Sequence, residues 1–268
     1  MGPLGLIAGQ GEFPLLFAQA AQALKRPVVL FGVEGYTDKR VQGFTSEAHY
    51  VGLGELGRLL DLLKQKKIKQ VVFAGGVPKK QIYDPSFKLD STAQHFISGT
   101  RNKGDDHILR AFGLLLKARC GVSVMDSRSL LKNSLAPKGV LTRRTPEPKE
   151  LEDLRLGFKT AKHVGKMDIG QTVVIKDGVV LAVEALEGTD QAIRRGGELG
   201  HGGVVVVKVS KPGQDMRFDL PCVGPETLET LQQASSRVLG VEAGKTILIS
   251  REKTIETADK LNMTIVGL

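Results

Sequence analysis

Three charged residues in the second half of the chain alternate with three apolar ones: Asp215, Arg217 and Asp219 against Met216, Phe218 and Leu220. In an extended chain successive side chains point to opposite faces. The spacing therefore predicts a ribbon carrying carboxylate, guanidinium and carboxylate on one side. Such groups can orient a water, hold a hard cation or clamp a phosphate. Lys208, Lys211 and Gln214 lead into the ribbon, with Pro212 and Gly213 among them and Pro221 and Pro225 beyond. Charges this crowded perturb one another's pKa, which favours a site over an exposed edge. A second acidic stretch holds Glu184, Glu187 and Asp190 around a strand-to-helix turn, where Thr189 is expected to N-cap the helix. Hard cations and sugars are bound by such oxygens. Pairing of Asp190 with Arg194 or Arg195 is the alternative.

Two glycine-rich turns suit an anion. Gly9-Gln10-Gly11 follows an apolar strand and precedes a helix opened by Pro14, and Gly75-Gly76 closes another strand just before Lys79 and Lys80. Backbone N–H groups at a helix N-terminus attract phosphate. Pro14 stands where a dinucleotide fingerprint needs its third glycine. Glu34 at the end of the second strand leaves a nicotinamide-dependent oxidoreductase as a competing reading. Gly104-Asp105-Asp106 opens a further helix, and its carboxylates either cap that helix or hold a ribose or metal.

The elements that must position these groups follow from periodicity. Short apolar runs at 4–8, 27–33, 70–74 and 122–125 read as strands, alternating with helices at 14–24, 55–67 and 105–119. That alternation predicts an α/β domain with a parallel, Rossmann-like sheet over 1–133. A proline- and glycine-containing connection at 133–150 opens a second, mixed α/β (α+β) domain over 134–268. There a hairpin turning at Asp177-Gly178 is predicted, with a helix over 225–239 and a strand over 246–250.

The composition narrows the class. With 41% hydrophobic residues in 268, a real core is expected. The net charge of +9 suits a phosphorylated substrate or an anionic membrane surface. Nucleic acid is not expected, because the lysines are dispersed, Trp is absent and no reader motif occurs. The two cysteines, the lack of an apolar run long enough to span a bilayer and an N-terminus unlike a signal peptide lead to the expectation of a cytoplasmic protein.

The chain resembles the UDP-2,3-diacylglucosamine pyrophosphatases of lipid A biosynthesis, in the two-domain LpxI type. The matching stretches are GLIAGQGEFP (Gly5–Pro14), AGGVPK (Ala74–Lys79), KGDD (Lys103–Asp106), MDIGQTVV (Met167–Val174), AVEALEGTD (Ala182–Asp190) and KPGQDMRFDLPCVGPET (Lys211–Thr227). The resemblance implies a Rossmann-like N-terminal domain, a family-specific C-terminal domain and a substrate lying between them. It implies Mg²⁺-dependent release of UMP and 2,3-diacylglucosamine 1-phosphate (lipid X) by water attack on the α-phosphorus. The family's essential aspartate falls on Asp219. On this basis Asp219 is expected to bind the metal or orient the water, with Glu187, Asp190 and Asp215 as supporting ligands and Arg217 as a phosphate clamp. Gly9, Gly11, Gly75, Gly76, Lys79, Asp105, Asp106, Thr189, Lys208, Lys211 and Gln214 are expected to contact substrate. Barrier reductions of about 8–23 kcal/mol are typical of enzymes, against about 0.3–2 kcal/mol from a helix end, which favours a cation. The five histidines are scattered, so an oxygen-ligand ion fits better than zinc. A homodimer and transient contact with the inner membrane surface complete the expectation.

Overall fold

The computed structural model describes residues 2–77, 88–100 and 104–268, with only the backbone of Asp105 and Asp106. The chain divides into two compact units, Met1–Lys132 with Asp215–Asp219, and Asn133–Gln214 with Leu220–Leu268. Five residues of the second half thus group with the first unit, whereas the sequence reading keeps 134–268 together.

In the first unit, β1 (Leu4–Ala8), β2 (Val28–Val33), β3 (Glu47–Val51), β4 (Gln70–Ala74) and β5 (Ser123–Val124) form one parallel sheet in the order β3-β2-β1-β4-β5. Its helices are α1 (Phe13–Ala23), α2 (Leu56–Gln65), α3 (Ser91–Gly99) and α4 (Asp105–Cys120). The central strands are apolar on both faces, as strands covered by helices on each side must be. Val29, Phe31, Val71 and Phe73 pack with Leu60 and Leu63 of α2 and Leu116 of α4. The alternate residues Leu4, Leu6, Leu30 and Val72 turn to the other face and are buried there, as are Phe17, Ala18 and Ala21 of α1. The strand order reverses between β1 and β4, and the crevice beyond the carboxyl ends of such neighbours is where open α/β sheets bind ligands.

The second unit is built on a mixed sheet. β6 (Gly139–Val140), β7 (Thr172–Lys176), β8 (Val179–Val183), β9 (Val205–Lys208), β11 (Val238–Val241) and β13 (Thr264–Gly267) lie in the order β6-β13-β11-β9-β7-β8. β9, β11 and β13 are parallel, and β7 runs antiparallel to β9 and β8. Leu154 and Ala161 of α5 (Pro148–Lys166) bury one face against Val173, Ile175 and Val207. On the other face Val174, Val206 and Leu239 meet Ile193, Leu228 and Ala258 of α6 (Thr189–Gly200), α7 (Pro225–Gln233) and α8 (Arg251–Lys260). A separate parallel pair joins β10 (Cys222–Val223) to β12 (Ile247–Leu248).

The β7–β8 hairpin turns at Asp177-Gly178, both with positive φ as a type I′ turn requires. Buried Asp153 of α5 accepts the N–H groups of both residues at 2.9 and 2.8 Å. Three sequence expectations change. The helix predicted over 225–239 stops at Gln233. Ser235 then adopts a left-handed φ of 51°, and Val238–Val241 becomes a fully buried strand, as its β-branched residues favour. The predicted strand over 246–250 shortens to Ile247–Leu248, with Ser250 at φ 46° starting α8. Thr189 is the first residue of α6 rather than its cap, which is Gly188. The sequence reading names neither strand β3 nor helix α3. Among the described residues, no helix is long and apolar enough to cross a membrane.

Candidate functional site

In the first unit the loops after β1 and β4 grip each other. The Gln10 N–H donates to the Gly76 carbonyl at 2.8 Å, the Gly76 N–H donates back at 3.3 Å, and the Gly9 N–H donates to Ala74 at 2.9 Å. A Cβ on Gly9 would overlap the Gly76 carbonyl oxygen, so the glycine serves a backbone crossing. This corrects the simplest phosphate-loop reading: the amides of Gly9, Gln10 and Gly76 are already engaged. The donors left at the α1 N-terminus are those of Gly11, Glu12 and Phe13. Gly11 takes a φ of 89°, and Glu12 makes no side-chain cap bond. Lys79 lies outside the described residues. Asp105 and Asp106 form the first turn of α4, and nothing is described of their side chains.

The segment Asp215–Asp219 is a turn, not the extended ribbon expected. The Phe218 N–H donates to the Asp215 carbonyl at 3.0 Å, which abolishes the alternation. Phe218 turns inward, 8% exposed, and its ring lies 5.4 Å from that of Phe73 near the end of β4. Arg217 folds back on Asp215, with Nε–Oδ1 at 2.9 Å and Nη2–Oδ2 at 2.6 Å, and its guanidinium sits 5.5 Å from the Phe218 ring centre. The hydrogen bonds from Arg217, helped by the charge of Arg110, hold the Asp215 carboxyl below the usual range. Asp215 in turn raises Arg217, with a further contribution from Asp126. Asp126 and Arg128, just after β5, make the same clasp: backbone N–H to Oδ1 at 2.9 Å, Nε to Oδ1 at 3.0 Å and Nη2 to Oδ2 at 2.6 Å. Asp219 is half-buried.

The second unit gathers polar groups at the carboxyl ends of β9 and β11. Lys208 donates to the Cys222 carbonyl at 3.1 Å. Lys211, with a side chain 5% exposed, pairs with Asp168 at 2.6 Å. Lys211-Pro212-Gly213-Gln214 is a type II turn: Gly213 has a φ of 77°, and the Gln214 N–H reaches the Lys211 carbonyl at 3.1 Å. The Gln214 side-chain oxygen accepts from the Lys211 N–H at 2.9 Å, so this residue builds the turn. The Thr189 hydroxyl donates to buried Glu184 at 3.0 Å. Glu242, directly after β11, is a strongly perturbed acid. Burial opposes its charge, but Lys162 at 2.7 Å, Lys245 at 2.8 Å and the Ser210 hydroxyl at 2.7 Å outweigh it and hold the pKa at about 2.

The predicted metal ligands are divided between the units, Glu187 and Asp190 in the second and Asp219 in the first. Glu187 is ion-paired with Arg195 at 2.9 Å and accepts from the Ala185 N–H, and Asp190 is exposed on the first turn of α6. Among the described residues no three His, Cys, Asp or Glu side chains come together to hold a metal.

The comparison with known proteins meets this geometry at both units. The family model described as the LpxI N-terminal domain matches residues 3–134, and that of the LpxI C-terminal domain matches 137–266. The chain belongs to the LpxI family. The UDP-2,3-diacylglucosamine pyrophosphatase LpxI of Caulobacter vibrioides is 31% identical over 279 residues, covering 100% of this chain and 98% of that protein. Among solved structures, the NADPH complex of leucoanthocyanidin reductase from Vitis vinifera is 16% identical over 56% of this chain, at a TM-score of 0.28. The biotin carboxylase domain of Hydrogenobacter thermophilus 2-oxoglutarate carboxylase is 14% identical over 75% of this chain, at 0.29. This chain spans 41% of each of those two. Likeness at that level says nothing about ligands.

Within the family frame, the structure brings Asp215 and Arg217 together and adds residues the sequence reading passed over. Asp126-Ser127-Arg128 shares the Asp-x-Arg spacing of Asp215-Met216-Arg217, but so do Asp38-Lys39-Arg40 and Asp153-Leu154-Arg155, so the spacing alone does not mark a site. Arg110 and Glu242 had no local signal, because only the fold places their partners.

Proposed function

We propose that the chain hydrolyses the pyrophosphate bond of UDP-2,3-diacylglucosamine, releasing UMP and 2,3-diacylglucosamine 1-phosphate (lipid X). The observation that carries this reading is the relationship to a named UDP-2,3-diacylglucosamine pyrophosphatase, which covers 100% of this chain and 98% of that protein. The residues at hand suit the chemistry. The Gly11, Glu12 and Phe13 amides offer a helix N-terminus to phosphate oxygens. Arg217 offers Nη1, its Nε and Nη2 being held by Asp215. Asp219 orients the attacking water or accepts its proton.

Mg²⁺ belongs to the proposal with Asp219 as its carboxylate, because Mg²⁺ is commonly held by one or two carboxylates together with substrate phosphates. When bound it would polarise a phosphoryl oxygen and acidify a water. Glu187 is not retained as a ligand, since Arg195 occupies it. A homodimer and peripheral contact with the cytoplasmic face of the inner membrane are parts of the same reading.

Incubation with UDP-2,3-diacylglucosamine, with and without a chelator, is the test. UMP and lipid X should appear in equal amounts without the chelator and stop with it. Binding without UMP release would leave a sugar-nucleotide sensor instead. Hydrolysis in ¹⁸O water then locates the attack: label in UMP follows from the α-phosphorus, label in lipid X from the β-phosphorus.

A further inference from the structure

Of the five residues Asp215–Asp219 that cross into the first unit, Phe218 alone is buried; the others are half-buried or exposed. Its ring is received by α4 at Gly113. A Cβ on Gly113 would stand 2.6 Å from the Phe218 Cζ and 3.0 Å from its Cε1, with Val124 Cγ2 at 3.6 Å on the same spot. Phe73 closes the socket at 5.4 Å between ring centres. Any residue but glycine fills the space the ring needs. Glycine in a helix interior is destabilising relative to alanine, and α4 accepts it eight residues past its first. Burying the phenylalanine side chain offsets that loss. Arg110 lies three residues before Gly113 on α4, hence on the same face, and its charge acts on Asp215. A ring contact and a charge attraction therefore both tie the turn to one helix.

Asp219 follows Phe218 directly. Adjacent Cα atoms are about 3.8 Å apart, so fixing the ring fixes where that carboxylate begins. We propose that Gly113 and Phe218 are positioning residues: the ring seated in the Gly113 notch holds Asp219 in catalytic register. The inference rests on the catalytic role proposed for Asp219 and names the device that aims it.

The test is a kinetic cycle on the full chain with UDP-2,3-diacylglucosamine and Mg²⁺, reading UMP. Gly113→Ala should lower kcat by about 100-fold, the usual effect of a misplacement near 1 Å, with KM nearly unchanged. Its melting temperature should not fall by more than a few degrees, because alanine favours the helix. Phe218→Leu, which shortens the side chain, should recover much of the loss when combined with Gly113→Ala, an interaction of opposite sign to the single effects. A purely structural clash would lower stability without this split between kcat and KM. Asp219→Asn is measured alongside. With that variant inactive, a wild-type kcat for Gly113→Ala, or no recovery in the double variant, overturns the positioning role. With that variant active, the functional reading fails and the positioning role fails with it.

Discussion

Arg217 shows how one residue is both legible and misread. The sequence marks it as a phosphate clamp, yet two of its donors are committed to Asp215 before any substrate arrives. Its remaining role depends on the guanidinium fork, which lysine lacks. Arg217→Lys should therefore break the clasp and raise KM by about tenfold, the value of one charge-assisted hydrogen bond of roughly 1.5 kcal/mol. Steady-state kinetics on UDP-2,3-diacylglucosamine check this, and an unchanged KM would remove Arg217 from substrate binding. The alternation of charges in Asp215–Asp219 was visible but its geometry was not. Extended pairing needs a neighbouring strand, and here a local i to i+3 hydrogen bond and a buried ring prevail. Local side-chain pattern cannot choose between those outcomes, because the choice is made by the Phe73 and Gly113 surface that receives Phe218.

At the level of elements, four of the five parallel strands of the first unit were legible because strands covered on both faces read as unbroken apolar runs, and the more exposed β3 was not. The glycine turns were found for a reason only half right. Gly9 is required by the Gly76 crossing, so Gly9→Ala should destabilise the first unit by about 1–3 kcal/mol, as overpacking does, visible as a lowered melting temperature before any effect on ligand is asked about. A melting temperature equal to wild type would contradict that backbone crossing. The helix over 225–239 was overrun for the opposite reason: its apolar period continues into Val238–Val241, and only the left-handed Ser235 marks the break. Glu242 offers the clearest pH signature. Its pKa is lowered from 4.5 to about 2 on folding. The stability it contributes is complete above pH 4.5 and is lost as pH falls through about 2. Each tenfold change in proton affinity between the unfolded and folded chain is worth about 1.4 kcal/mol, which makes that contribution roughly 3 kcal/mol. The gap in melting temperature between wild type and Glu242→Gln should hold steady above pH 4.5 and narrow toward pH 2. A gap independent of pH would show that Lys162, Lys245 and Ser210 do not hold the charged form.

For the whole molecule, the two-domain α/β character was readable from the alternation of elements and from the change of pattern after residue 131. What could not be read was that a short piece of the second half is built into the first unit. Long-range insertion of this kind leaves no periodic trace, and it puts the candidate acid among first-unit residues that lie a hundred positions away in sequence. The account as a whole rests on that acid. Its most direct test is UMP release from UDP-2,3-diacylglucosamine by folded wild type and folded Asp219→Asn at saturating Mg²⁺. Wild type should release UMP, and the variant should be slowed by about 100-fold or more, as loss of a group that handles the water's proton predicts. Turnover by Asp219→Asn close to that of wild type would contradict it.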